Sequence, residues 1–170
     1  MKYLLICISI NALLITSCRE KLDLQNELNS DQAQGCGEFG VYTFNDNNSL
    51  GIAVFGDSSA LNLSQTEQTF NIEDLTSEEL GIVVNEYKKN NGSFSCYNFG
   101  AESYKASHRY DAISGQVTIK INNPNVAVVD TQFHYSLDIS LSNIIFKHYL
   151  REETIDLLSM DFNDIVVGYY

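Results

Sequence analysis

Three histidines, His108, His134 and His148, are the residues of this sequence best suited to acid–base chemistry or metal binding. They are far apart along the chain, so only the fold can bring them together. His134 is in register with Ser136 and Asp138, which places it on the polar face of a strand. The chain contains no Gly-x-Ser-x-Gly, His-Glu-x-x-His or glycine-rich phosphate-binding motif. We therefore expect no catalytic residue, no metal ligand and no cofactor.

Two acidic segments carry the oxygen groups that a hard cation such as calcium prefers. In the segment 45–48, Asp46 lies among three asparagines, and the segment 161–164 contains two aspartates and one asparagine. Neither segment has the twelve-residue spacing and closing glutamate of a calcium-binding loop. Turn formation and solubility account for both segments.

Aromatic residues make up 11% of the chain, and four of them are close together in one stretch. Basic residues and a histidine lie in the same stretch, so these rings form a candidate ligand face. Tyrosine is also an ordinary strand residue, and packing within a sheet is the alternative explanation. The four aromatic residues are Tyr97, Phe99, Tyr104 and Tyr110.

The N-terminal residues have the pattern of an export signal. A short basic start is followed by the apolar run 4–15 and then by Thr16 and Ser17. The apolar run has about a dozen residues, fewer than the roughly 20 that a transmembrane helix needs. We expect residues 1–17 to be a signal peptide that is removed from the mature protein.

The end of this signal, Ile15-Thr16-Ser17-Cys18, resembles the lipobox of bacterial lipoproteins. The resemblance implies that the Cys18 sulfur receives a diacylglycerol and that cleavage occurs before Cys18. Two or three acyl chains hold a protein at a bilayer far better than one, because each buried CH₂ contributes about 0.8 kcal/mol. Arg19 follows Cys18, where an aspartate tends to mark inner-membrane retention in enterobacterial lipoproteins. The resemblance therefore favours the outer membrane, on its periplasmic or its surface side.

If the signal peptide removes Cys7 and lipid modifies Cys18, two cysteines remain, Cys36 and Cys96. Compartments outside the inner membrane are oxidising, so we expect these two to form a disulfide. In the chain-entropy model, closing a loop of about 60 residues stabilises a fold by about 4 kcal/mol. A catalytic thiol is the alternative, but the sequence identifies no base next to either cysteine.

The mature chain divides into a lipidated N-terminal tether, 18–35, and one domain, 36–170. The run 19–34 is polar, with three leucines at irregular spacing, which is typical of a flexible segment. A short amphipathic helix on the lipid headgroups is the alternative for this segment.

Alternation of apolar and polar residues predicts strands in the domain. The pattern is clearest at 135–142 and 116–121, which we expect to pair antiparallel, with turns at 114–115 and 122–125. Three hairpins are predicted upstream, and 154–159 and 165–170 are predicted as two final strands separated by 161–164. Thr76 and Glu79 have capping-box spacing, which indicates one helical turn. The predicted hairpins are 39–44 with 50–55, 59–63 with 66–72, and 81–87 with 93–99.

These elements predict an all-β antiparallel domain. We favour a two-sheet sandwich, with a lipocalin-like closed barrel as the alternative. The 170-residue chain has a formal net charge of −12, which excludes nucleic-acid binding because the protein repels phosphate backbones.

The expected function is that of a non-catalytic lipoprotein that binds an envelope protein or a surface polymer, or assists envelope assembly. A carrier of a small hydrophobic ligand and a small envelope hydrolase are the alternatives.

Overall fold

The structure is a computed structural model that describes residues 22–89, 92–94, 105–129 and 132–168. Within these ranges the chain forms eight strands and the one-turn helix α1 (Leu24–Glu27), with 3₁₀ turns at Ser30–Gln32 and Ile72–Asp74. None of the described helices is long and apolar enough to cross a membrane. The strands are β1 (Gln34–Gly35), β2 (Gly40–Phe44), β3 (Leu50–Gly56), β4 (Gln68–Asn71), β5 (Leu80–Glu86), β6 (His108–Val129), β7 (Gln132–His148) and β8 (Thr154–Gly168).

All eight strands belong to one antiparallel sheet, in the order β1-β2-β3-β5-β6-β7-β8, with β4 paired to β6. The two ends of this order meet, because the Gly168 N–H donates a hydrogen bond to the Gly37 carbonyl at 2.8 Å. Gly35 makes the approach possible, because a Cβ at this position would collide with the Val166 carbonyl oxygen. The sheet is therefore nearly closed into a barrel.

The all-β antiparallel prediction is confirmed, but the favoured two-sheet sandwich is not. A single sheet whose first and last strands touch supports the barrel alternative. A sandwich and a barrel differ in which strands, distant along the chain, pair with one another. The alternation of apolar and polar residues within a strand does not indicate its partners.

The barrel interior is filled by side chains. Inward-facing residues of every long strand form one apolar cluster, which includes the fully buried Ile52, Leu137, Phe146 and Phe162. An eight-stranded barrel has an interior just wide enough for side chains to fill.

Residues 22–35 pack on the barrel, which corrects the prediction of a flexible tether for this part of 18–35, and residues 18–21 lie outside the described ranges. Leu24 is fully buried in the core, and Gln25 Oε1 accepts from the Ser159 N–H of β8 at 3.1 Å. On the other side, Thr43 of β2 donates its hydroxyl proton to the Asn29 carbonyl at 2.6 Å. We call residues 22–33 the N-terminal strap, because they contact both β8 and β2. Irregular leucine spacing gives no helical period, so the sequence did not predict this packing.

Three segments predicted to separate strands, 114–115, 122–125 and 161–164, lie inside long strands. β6 runs through Gly115, where its register with β7 shifts, and Gly115 has φ +119°. β8 runs through 161–164, where Asp164 has φ 54° and its N–H donates to Asp138 Oδ1 at 2.7 Å. β6 also continues past Pro124, with further register shifts. Residues that favour turns also favour bulges, because both need unusual backbone angles.

The predicted hairpins have different outcomes. The pairing of 39–44 with 50–55 is confirmed by β2 and β3, and so is the pairing of β6 with β7. The hairpin of 59–63 with 66–72 is wrong, because β4 pairs with β6 instead. In the third hairpin, β5 confirms the first strand, and residues 95–99 lie outside the described ranges.

A second, smaller cluster covers the outer face of β2, β3 and β5. The rings of Phe44 and Phe94 stack there with centroids 5.1 Å apart. Cys36 is buried in this cluster and is disulfide-bonded. Cys96 lies outside the described residues, so its pairing with Cys36 stays a prediction, as does the lipidation of Cys18.

Candidate functional site

The fold brings together two of the three histidines. His108 is the first residue of β6 and His148 is the last residue of β7, and His108 Nδ1 lies 3.1 Å from His148 Nε2. His134 lies at the other end of β7, where it pairs with Gly168. The histidines therefore do not form a three-residue site.

The hydrogen bonds of His148 define its protonation pattern. Its Nδ1 accepts from the Leu150 N–H at 3.0 Å, so the ring proton is on Nε2 and is donated to His108 Nδ1. A histidine that binds metal through Nε2 must instead carry its proton on Nδ1. The pair is therefore arranged for hydrogen bonding. In the described parts of the chain, no group of three His, Cys, Asp or Glu residues could hold a metal ion.

Of the predicted aromatic ligand face, Tyr110 is the only described member, and it belongs to the core. Its ring is fully buried, and its hydroxyl donates to Glu153 Oε1 at 3.1 Å. Tyr97, Phe99 and Tyr104 lie outside the described residues.

The acidic segments have structural roles. Asn45 Oδ1 accepts from the N–H groups of Ser49 and Leu50, which closes the β2–β3 turn, and Asn48 in this turn has φ 55°. The segment 161–164 is part of β8. The first arrangement confirms the predicted turn at 45–48, and the second places 161–164 inside a strand.

A cleft lies in the barrel wall, between β5 and β6. β6 pairs with β5 over His108–Asp111 and with β4 over Gln116–Ile119, so β5 and β6 diverge between these two ladders. The gap forms a cleft of about 420 Å³, a size within the range of ligand-binding pockets. We call it the wall cleft.

The wall cleft combines apolar walls with one ion pair. Phe55, Leu75, Val83 and Ile113 provide apolar surface, and Ile113 is 47% exposed. An ion pair borders this surface, formed by the residues Arg109 and Asp111 with Nη2 and Oδ1 2.6 Å apart. Such a surface suits an apolar group that carries a polar substituent.

Local sequence explains how the cleft is shaped. A Cβ at Gly81 would lie 2.6 Å from the Phe55 ring on the neighbouring strand, so the glycine lets this ring lie across β5. At the upper rim, Glu73 Oε2 accepts from the Gly115 N–H at 3.2 Å. The hydrogen bond therefore ties the segment before β5 to β6 beside the cleft.

The capping box predicted at Thr76 and Glu79 forms beside the cleft. Glu79 Oε2 accepts from the Thr76 N–H at 2.8 Å and from the Thr76 hydroxyl at 2.9 Å, and the Thr76 hydroxyl accepts from the Glu79 N–H at 3.3 Å. These hydrogen bonds lower the pKa of the Glu79 carboxyl below its ordinary 4.5, the backbone bond from Thr76 most strongly.

Sequence reasoning did not find the wall cleft. One signal was present: Arg109, Asp111 and Ile113 occupy successive outward positions of β6, and the isoleucine breaks an otherwise polar face. Finding the cleft also required knowing that β5 and β4 share one edge of β6, which is a long-range property.

No protein-family model matches the chain, and no curated protein or solved structure is significantly similar to it.

Proposed function

We propose that this protein is a lipoprotein anchored through Cys18 in the outer membrane, and that its β-domain is a non-catalytic binding module. Its partner would be an envelope protein or a surface polymer, held in the wall cleft. The lipobox sequence supports the anchor. The wall cleft, with its half-exposed Ile113, supports the binding role.

The binding role can be tested with two isoleucine variants. Ile113 lines the cleft, and Ile145 is similarly exposed on β7 but does not line it. The lipoprotein would be extracted from its own membranes in mild detergent after brief crosslinking, and co-purifying material quantified. We expect a partner at near-equal amount with the native chain and Ile145→Glu, and at least about tenfold less with Ile113→Glu, because the carboxylate would be desolvated in the complex. Equal recovery with both variants, or no partner, would contradict this role.

The anchor is tested separately with Cys18→Ser. The native chain should carry the mass of its lipid and remain on membranes through a high-salt wash. Cys18→Ser should lose that mass, because serine has no thiol to receive the diacylglycerol. A native chain that lacks the mass of a lipid would refute the anchor.

A carrier of a small hydrophobic ligand is the second candidate, and the nearly closed eight-stranded sheet favours it over a small envelope hydrolase. Because side chains fill the interior, a ligand would occupy the wall cleft and be limited by its volume of about 420 Å³. Native mass spectrometry of the gently purified protein would reveal a stoichiometric small ligand, which Ile113→Glu should displace.

A further inference from the structure

One side of the wall cleft is strongly acidic. This side is the segment that precedes β5, and Glu73, Leu75 and Ser77 of this segment line the cleft. Four of the seven residues in 73–79 carry carboxylates, and three of the four are exposed. We call residues 73–79 the acidic wall. Its carboxylates belong to Glu73, Asp74, Glu78 and Glu79.

Hydrogen bonds fix the acidic wall but do not neutralise it. Glu73 Oε2 accepts from the Gly115 N–H at 3.2 Å. Asp74 Oδ2 accepts from the side-chain amide of Asn71 at 2.9 Å, and the capping box uses Oε2 of Glu79. Each of these three carboxylates therefore uses one oxygen and keeps the other available. In the parts of the chain that the structure describes, none of the four carboxylates forms an ion pair.

The basic residues beside the cleft already have carboxylate partners. Arg109 Nη2 lies 2.6 Å from Asp111 Oδ1. Lys147 is the neighbour of Asp111 on β7, and its Nζ lies 2.8 Å from Glu152 Oε2. Each of these two ion pairs is balanced within itself, so they leave the charge of the acidic wall uncompensated.

The other basic residues of the described chain are paired or remote. Arg151, in the β7–β8 turn (149–153), lies 3.9 Å from Glu153. Three lysines are next to the far end of β5, six residue steps or about 20 Å from the acidic wall. A fourth lysine is on β6 beyond β4, four residue steps or about 13 Å from Gln116. Both separations exceed the Debye length of about 8 Å at physiological salt. The four lysines are Lys88, Lys89, Lys105 and Lys120.

The wall cleft places an apolar surface directly beside this uncompensated charge. Ile113 is 47% exposed, and the Phe55 ring lies across β5. The volume of about 420 Å³ limits an occupant to a few side chains. An anionic polymer would be repelled by the acidic wall, and an uncharged ligand would leave its carboxylates unused. A lysine matches both parts of the site, because its methylene stem lies on apolar surface while its ammonium stays in water at the carboxylates.

We propose that the wall cleft binds a basic segment of an envelope protein, in which a lysine stands beside a large apolar residue. The apolar residue packs on Ile113 and Phe55, and the lysine ammonium meets the acidic wall. An ammonium binds as a point charge and suits single oxygens, whereas the fork of an arginine suits both oxygens of one carboxylate. This inference rests on the proposed function, in which the wall cleft is the binding site, and it selects a protein over a surface polymer.

Removing charge from the acidic wall tests the inference. Extraction from the native membranes after brief crosslinking would be repeated with Glu73→Gln combined with Glu78→Gln. We expect at least about fivefold less partner than with the native chain, because two exposed ion pairs are lost. Glu27→Gln combined with Glu67→Gln is the matched control, since it removes the same charge from exposed side chains that do not line the cleft. The control should recover the partner in the native amount, and unchanged thermal midpoints of both double variants would exclude unfolding as the cause.

A carbodiimide locates the contact, because it joins a carboxylate to a lysine amine through an amide bond only where the two groups meet. Membranes that carry the native lipoprotein would be treated with this reagent, and the linked peptides identified by mass spectrometry. We expect a link between the acidic wall and a lysine beside a large apolar residue of the same partner. Links from the partner to Glu27 or Glu67 alone would overturn the inference.

The outcomes separate this inference from the proposed function. If Ile113→Glu loses the partner and the acidic-wall variant retains it, the cleft is a binding site but its partner is not basic, and the inference alone fails. A partner whose recovery rises when the acidic wall loses charge is anionic, which overturns the inference in the same way. If Ile113→Glu retains the partner as well, the proposed function fails together with the inference.

Discussion

At the residue scale, His108 and His148 are part of a hydrogen-bond network at one end of the barrel. His148 uses both ring nitrogens, with Leu150 and His108 as partners, and its ring lies edge-on to Tyr110 at 5.1 Å. Tyr110 in turn donates to Glu153. This network joins the ends of β6 and β7 to the β7–β8 turn. Its members include His108 and His148, which the sequence marks as candidates for acid–base chemistry.

We expect His148→Ala to lower the free energy of unfolding by about 2 kcal/mol, because it leaves the Leu150 N–H without its acceptor and removes buried ring contacts. Urea unfolding followed by circular dichroism would measure the change. Glu152→Gln is the control, since an exposed ion pair contributes about 0.5 kcal/mol. Equal effects of the two substitutions would show that the network is not stabilising.

The carboxyl of Glu79 predicts a pH dependence. Its pKa is lowered below 4.5 in the folded state by the Thr76 hydrogen bonds. The bonds therefore stabilise the fold above pH 4.5, and this contribution is lost as the pH falls through the lowered value. In thermal melts between neutral and acidic pH, we expect Glu79→Gln to lower the midpoint at neutral pH and to flatten the loss of stability below pH 4.5. Glu78→Gln removes the same charge one position away, and an identical profile for it would contradict the role of the capping box.

At the element scale, the closure of the sheet depends on its shortest strand. β1 has two residues, Gln34 and Gly35, yet it pairs with β2 and lies against the end of β8. The N-terminal strap continues the same contact, with Leu24 buried beside β8. The first part of the described chain therefore connects the two edges of the sheet.

We expect Gly35→Ala to destabilise the fold by about 3 kcal/mol, because the new methyl group would collide with the Val166 carbonyl and force β1 away from β8. Gln34→Ala is the matched control, since Gln34 is exposed and its side chain makes one hydrogen bond, with Tyr42. This control should cost about 1 kcal/mol. Hydrogen exchange would locate the change, with faster exchange expected in β1 and at the end of β8. If hydrogen exchange in Gly35→Ala is no faster in β1 and at the end of β8 than in the other strands, Gly35 does not hold these two strands together.

At the scale of the whole molecule, two features act together. The sheet is nearly closed into a barrel because its first and last strands meet, and Cys36 in the outer cluster is disulfide-bonded. The proposed lipid would hold this barrel at a membrane. The wall cleft would then be open to neighbouring envelope components.

The disulfide gives a prediction at this scale. We expect non-reducing peptide mapping to link Cys36 with Cys96, and Cys36→Ser to lower the free energy of unfolding by about 4 kcal/mol, because the unfolded chain gains the freedom of a loop of about 60 residues. Cys96→Ser should have a similar effect. Free Cys96 in the mapping, or different effects of the two substitutions, would show that Cys36 has another partner.

The sequence by itself determined the class of the fold and several of its elements. The unbroken alternation at 135–142 placed a strand correctly, the asparagine-rich run 45–49 closed a hairpin, and Thr76 with Glu79 formed the capping box. These features depend on side chains close together in the chain, so local patterns are sufficient to predict them.

The tertiary structure decided the features that depend on distant partners. It made Gly115 and Asp164 irregularities within long strands, placed Leu24 in the core, joined His108 to His148 and opened the wall cleft between β5 and β6. The residue types that form a turn also form a bulge. At a bulge, the hydrogen-bond ladder with the neighbouring strand continues on both sides. That neighbour is chosen by the packing of the whole sheet, which no local pattern contains.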